Sequence, residues 1–376
     1  MKKIIFNFIL LIVFLFTILT AILSTIGIET NKFNKLISDK AAETKSVNLK
    51  LETINFKIDL KELSLFLETK NPEILYRGVS VPVQNIKVYF DFLSLIKSNL
   101  QIKKASLILH ELDVTQLNKL SIMIKPSNLK SILNNKIKKE KLISEIEIFL
   151  SEEGIIENYI AKGSVKDLKI EISKDLNFTN SNLKFFADKK DILIKNIFGE
   201  IENIKISDGD IKFNFDKGIK INSNFDSEIK LNNKFSNLLD RYGFIKNIQN
   251  FDATLNNNVF IELDHTYKVL DYNYNILGVI KKSKIDLSNL IKNKFKKDEI
   301  NEIYFSDLKI KTNFKPSIMN FNGEGNYSFD NFSFSKIKFE NELNKNLINL
   351  KLNFDYKKDI KLEIINYEKP KKSIAN

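Results

Sequence analysis

Between residues 47 and 364 apolar side chains recur at every second position, and this alternation decides what the chain can become. Val47, Leu49 and Leu51 alternate with Asn48 and Lys50, and Phe56 and Ile58 with Lys57 and Asp59. The same period runs through Val79, Val81 and Val83, then Ile86, Val88 and Phe90, then Leu168, Ile170 and Ile172. Near the end it returns in Tyr327 and Phe329, Phe332 and Phe334, Ile337 and Phe339, and the stripe Ile348, Leu350, Leu352, Phe354. A period of two belongs to a strand with one apolar and one polar face. The clearest block is residues 206–221, ISDGDIKFNFDKGIKI, where Ile211, Phe213 and Phe215 share a face opposite Lys212 and Asn214. Asp208-Gly209 and Lys217-Gly218 read as its turns, because Gly accepts the positive φ that tight hairpins need. Gly323-Glu324-Gly325 reads as a turn before the strand through Tyr327. Such strand-plus-turn units have the rhythm of an antiparallel meander.

A few stretches leave that period. Residues 29–45 place Phe33, Leu36, Ile37 and Ala41 on one helical face, which predicts a short amphipathic helix. Residues 126–139 do the same with Leu129, Ile132, Leu133 and Ile137, and Ser127 suits the cap. Phe235, Leu238, Leu239, Tyr242 and Ile245 have helical spacing, as do Leu287, Leu290, Ile291 and Phe295 behind Asp286. Residues 91–98, DFLSLIKS, read as one helical turn or a bend.

One-sided strands pose a covering problem, since an apolar sheet face must be shielded from water. These short helices are too few to shield some twenty strands. The sheet either folds on itself as a sandwich with a dry core, or curls into an open trough that protein does not fill. About twenty strands at ~4.8 Å spacing would extend on the order of 95 Å. Open sheets of that width twist strongly and curl. The fold class expected is mainly β: a long twisted antiparallel sheet curled into a groove, with a few short helices.

Ahead of the strands lies a different solvent preference. Residues 4–28, IIFNFILLIVFLFTILTAILSTIGI, carry no charge and follow Lys2 and Lys3. Roughly 20 apolar residues cross a bilayer core of about 30 Å as a helix. A cleaved secretory signal is the competing reading, but the run is longer than a signal core and lacks a clear small-x-small site after it. Lys2 and Lys3 would stay in the cytoplasm under the positive-inside rule. The organisation expected is therefore an anchor at 1–28, a juxtamembrane helix at 29–45, a β-rich body at 46–366 and a disordered tail at 367–376.

Composition removes several functions. The net charge of +12 comes from Lys, with Arg only at Arg77 and Arg241. The lysines are spread along strands, and the abundance of Lys, Asn, Ile and Phe follows A/T-rich codon use, so no nucleic-acid partner is expected. There is no Cys, which excludes disulfides and thiolate metal sites. His110 and His265, each read inside a strand-like segment, supply too few ligands for a metal. No phosphate-binding loop, G-x-G-x-x-G or G-x-S-x-G occurs, so neither an enzyme nor a cofactor is expected. Thirty Phe remain to be placed. Ile211, Phe213, Phe215, Phe329, Phe332, Phe334 and Phe339 are the candidates for lining an acyl-chain groove, against the plainer reading of ordinary core.

The order of parts resembles the AsmA-like family of bacterial envelope proteins, which is related to bridge-like lipid transfer proteins. A Lys-flanked anchor is followed by NKFNKLISDKAAE and by VNLKLETINFKIDLKELSLFLE. Residues 86–109, IKVYFDFLSLIKSNLQIKKASLIL, are similar to the family's strand–bend–strand, and residues 182–213 resemble its repeated hairpins. Lys104-Ala105 departs from the pattern, where many relatives carry a glycine-containing turn, and the larger members are far longer. The resemblance implies a single-pass inner-membrane protein with a periplasmic body that takes part in outer-membrane biogenesis. It also implies phospholipid as a partner, bound or conducted along a β groove. An anchored scaffold or assembly factor for outer-membrane proteins, using exposed sheet edges, is the alternative.

Overall fold

The computed structural model describes residues 2–31, 34–43, 47–61, 64–90, 101–121, 135–173, 176–216, 218–231, 248–266, 268–286, 301–344, 347–356, 360–362 and 367–370. Among them are three helices, α1 (Lys2–Thr25), α2 (Asn34–Glu43) and α3 (Val114–Ser121); all other regular structure is strand. Twenty strands belong to one antiparallel sheet that does not close into a barrel. The chain divides into two units, the first comprising Met1–Lys166 and Lys184–Lys190, the second Asp167–Leu183 and Asp191–Asn376.

In the first unit α1 is long and apolar enough to cross a membrane, and nearly all its apolar side chains are exposed. Gly27 ends it at φ +79°, with the Ile26 and Gly27 amides both donating to the Ile22 carbonyl. This is a left-handed helix stop, which Gly adopts without steric cost. The chain then enters β1 (Ile28–Thr30), which pairs with β3 (Ile54–Asp59). Residues 29 and 30 are therefore strand, a correction to the helix expected from 29, because their ladder with Asn55 and Ile54 outweighs helical spacing.

Strands β4 (Ser64–Lys70), β6 (Val79–Phe90), β7 (Ile102–Leu109) and β9 (Ile137–Leu150) extend this ladder, and β2 (Val47–Lys50) and β5 (Glu73–Tyr76) pair beside β6. Ile37 of α2 belongs to one buried cluster with Ile54, Leu67, Ile74, Val83, Ile86, Val88 and Phe90. The helix is thus a lid on the unit's apolar face.

A short β8 (Leu112–Asp113) leads into α3, capped reciprocally: the Asp113 amide donates to Gln116 Oε1 at 3.1 Å and the Gln116 amide to Asp113 Oδ1 at 2.9 Å. That pairing is a capping box. The helix expected at 126–139 is corrected at its end, since Ile137 to Lys139 begin β9; the stretch 122–134 lies outside the described residues, as do 91–98, 235–245 and 287–295. His110 lies between β7 and β8 and His265 in a turn, so neither is inside a strand as expected.

The second unit is a meander. β12 (Asp191–Ile201), β13 (Ile204–Asn214), β14 (Ile219–Leu231), β15 (Ile248–Leu263), β16 (Val269–Asp286), β17 (Glu302–Phe314), β18 (Ile318–Ser328), β19 (Ser335–Asn344) and β20 (Leu347–Phe354) each pair antiparallel with the next. Of three expected turns, two change. Gly218 does mark a turn, at φ +96°, but Asp208-Gly209 and Gly323-Glu324-Gly325 lie inside β13 and β18. Residues 329–334 form a loop, not a strand. Tyr367–Lys369, expected in a disordered tail, is β22 and pairs with β21 (Ile360–Leu362).

The Asp208 correction exposes a repeated device. Asp167, Asn180, Asn196, Asp208, Asn250 and Asp307 all have positive φ within strands, between 47° and 55°. Four coincide with one-residue register shifts: Asn196 between β12 and β13, Asp208 between β13 and β14, Asn250 between β15 and β16, Asp307 between β17 and β18. These are β-bulges built on a left-handed Asn or Asp. Each inserts one residue, and each falls where the apolar alternation slips by one, as in Phe305-Ser306-Asp307-Leu308. Without the bulge, one half of the strand would turn its apolar residues to the opposite face. Two of the left-handed residues have their amides satisfied by side chains, Asp167 by Asn182 Oδ1 at 3.2 Å and Asn196 by Asp210 Oδ1 at 3.3 Å.

Candidate functional site

Directly opposed residues of an antiparallel ladder share a face, so the register assigns every side chain of β12–β20. One row runs from Ile211 through Ser223, Val259, Tyr274, Phe314, Met319 and Leu343 to Ile348. Its neighbours carry Phe213, Ile221, Ile261 and Tyr272 on one side and Phe225, Ile276, Phe321 and Leu350 on the other. The opposite face is mostly polar, with Phe260 and Leu277 among its few apolar members. There Asn256 donates to Asp226, Asn258 to Asn224, and Asn313 to Asn273 and Asn275, beside the ion pairs Lys212–Asp191 and Lys338–Glu340.

The apolar face has two parts. Toward the bulges at Asn250 and Asp307 it closes into a core of Ala253, Ile280, Leu308, Tyr327 and Ile337, with Phe305, Phe329 and Phe339 packed around them. Away from them it stays open. Ile211, Phe213, Val259, Tyr274, Phe314, Met319 and Leu343 are half-buried and Ile348 is exposed. Among the described residues the substantial contacts of β12–β20 run to lateral neighbours in the ladder. Eight strands at ~4.8 Å make this open row about 34 Å long.

Polar groups are set into the face at Ser223, Asn257, Thr312 and Asn341, and Asn257 is internally satisfied. Asn257 is buried; its amide donates to Ser227 Oγ at 3.0 Å and the Phe225 carbonyl at 3.2 Å, and its Oδ1 accepts from the Tyr274 hydroxyl at 2.8 Å. Burial pushes the Tyr274 phenol up from its ordinary range, so it stays a donor. A fully bonded Asn among apolar neighbours fixes the register of β14, β15 and β16 and makes no demand on a ligand.

The candidate residues divide accordingly. Ile211 and Phe213 stand on the open part. Phe339 shares the face but packs into the closed part, its ring lying over Gly323, where a Cβ would meet Phe339 Cζ at 2.3 Å. Phe329 joins an edge-to-face cluster with Tyr327 and Tyr356. Phe215 lies past the end of β13 and is exposed, and Phe332 and Phe334 are exposed around the β18–β19 loop, Phe332 by 89%. Reading 329–334 as strand placed those last two on a face they do not share.

No family model, curated protein or solved structure matches the chain.

Tyr274, Ile276, Phe314, Met319, Phe321 and Leu343 complete the open face and were missed. Their signal was present in Tyr272-Asn273-Tyr274-Asn275-Ile276 and Met319-Asn320-Phe321, which alternate cleanly. Among the described residues no three His, Cys, Asp or Glu side chains are grouped to hold a metal. What the face offers is apolar contact area bordered by hydrated Asn, Lys and Glu.

Proposed function

We propose that the open apolar face of the second unit holds the acyl chains of phospholipid, in a protein anchored by α1 in the inner membrane with its body in the periplasm. The observation that carries this reading is the row from Ile211 to Ile348, apolar on every strand of the eight except at Ser223, and half-buried or exposed along its length. Each methylene that such a face shields from water contributes about 0.8 kcal/mol. One leaflet is about half of the ~30 Å bilayer core, so a row of about 34 Å accommodates two chains end to end. Headgroups would remain in water at the polar edges. The mechanism is passive shielding, and the role is in envelope and outer-membrane biogenesis, as the AsmA-like resemblance implies.

The test is binding of a fluorescent phospholipid to the full chain in detergent. Phe213→Asp and Ile276→Asp are expected to weaken binding at least tenfold with unchanged circular dichroism, and Asn258→Asp on the polar face to leave it unchanged. Lipid binding that ignores which face carries the charge, or no binding, contradicts the proposal.

A further inference from the structure

β20 is an unusual edge. β19 is its one ladder partner among the described residues, and the register between them is unbroken from Ile337↔Phe354 to Asn344↔Leu347. Leu347, Ile348, Leu350 and Leu352 are 72%, 70%, 63% and 45% exposed. Native sheets blunt their edges with Pro, bulges or inward charges. β20 has none of these, and its single charge, Lys351, lies opposite Glu340 of β19.

We propose that a second copy of this chain pairs with this edge, β20 against β20, antiparallel about a two-fold axis through Leu350. The register follows from face and charge. Opposed residues share a face, so the stripe Ile348, Leu350, Leu352 stays on one side only if the residue numbers in each pair sum to an even number. Centring on Lys351 would set two ammonium groups directly opposite, which destabilises a pair. Centring on Asn349 shortens the overlap to residues 347–351. Centring on Leu350 pairs residues 347–353 of each copy: Ile348 with Leu352, Asn349 with Lys351, Leu347 with Asn353, and Leu350 with itself. No like charges face each other, and the apolar face of one second unit continues into that of the other copy.

A pair of strands about 24 Å long buries less than the ~1,200 Å² of a stable interface. The dimer therefore forms where both copies are confined to one membrane, which raises their effective concentration. That part rests on α1 being an anchor.

The chain has no Cys, so a single introduced thiol reports the register. Full-length Leu350→Cys, Lys351→Cys and Phe332→Cys variants are oxidised mildly in membranes of expressing cells. Disulfide-linked dimer is expected at least fivefold faster for Leu350→Cys than for Lys351→Cys, with Phe332→Cys slower still. In the Leu350→Cys background, Asn349→Asp sets a carboxylate opposite Lys351 of the other copy and speeds cross-linking; Asn349→Lys slows it severalfold. Equal rates at the three positions, insensitivity to Asn349, or capture of a different protein by the thiol at residue 350 overturns the proposal. Membrane and soluble fractions are scored separately. A soluble chain contradicts the anchor, whereas the positional preference decides the pairing in either fraction.

Discussion

The two units use the same alternation and meet water differently. In the first, α2 lays Ile37 over the sheet, and Ile54, Leu67, Val83 and Phe90 are buried beneath or beside it. In the second, the residues of the same strand pattern between Ile211 and Ile348 remain half-buried or exposed. A period-two stripe specifies that a face is apolar. It does not specify what covers it, because the cover is supplied from elsewhere in the chain or from outside it.

The largest effect expected from breaking this contrast is in the covered unit. Phe90→Ala leaves a cavity under a packed face and should cost about 3–5 kcal/mol, whereas Leu350→Ala on the open face should stay within ~0.5 kcal/mol. Urea unfolding of the full chain measures both. Equal costs would mean that the open face is packed after all.

Next in size is Glu140, buried on β9 with neither carboxylate oxygen hydrogen-bonded. Burial first, and the charge of Asp113 second, push its carboxyl up to about 7. Because the folded-state value is raised, the neutral form is favoured. Its stabilising contribution is complete below the ordinary carboxylate range and is lost as pH rises through about 7. Thermal stability should fall between pH 5 and pH 8, and Glu140→Gln should flatten that fall, an effect on the order of 2 kcal/mol. Glu68 is the internal control. Burial raises its carboxyl, but hydrogen bonds from Lys57 at 2.6 Å and Asn85 at 2.7 Å, with the charges of Lys57 and Lys87, outweigh it and hold the group below its usual value. Its ion pairs therefore stabilise at neutral pH and fail in acid.

The bulges give a smaller, sharper test. Asp307→Ala must hold Ala at φ +49° and should cost about 1 kcal/mol, while Asp307→Gly should cost little. If Ala is tolerated as well as Gly, the left-handed residue does not set the phase of β17. Smallest is the exposed Lys338–Glu340 pair, whose removal should change stability by less than ~0.5 kcal/mol.

The strands were legible because apolar alternation is a direct image of a one-sided sheet, and the open face was legible as far as Ile211 and Phe213. The phase slips were also written plainly, in Ile194-Lys195-Asn196-Ile197 and Phe305-Ser306-Asp307-Leu308. Glycine is the residue type that marks positive φ in a sequence, so Asp208-Gly209 reads as a hairpin turn, whereas it is the Asp that carries the left-handed conformation, at φ +49°. The capping box Asp113–Gln116 was overlooked because Leu107 and Leu109 suggested that their strand ran on. Phe332 and Phe334 mimic strand spacing by chance within a loop anchored by Asp330, whose carboxylate accepts from the Phe332 and Ser333 amides. Coverage of a face depends on contacts distant in sequence, and no local pattern encodes it.

The most direct measurement is site-specific photo-cross-linking in membranes, with a photoreactive residue placed at Ile276 on the apolar face or at Asn258 on the polar face of the full chain. Phospholipid adducts at Ile276 and none at Asn258 is the predicted result. Adducts equal at both positions, or absent from Ile276, would contradict the claim that this face holds acyl chains.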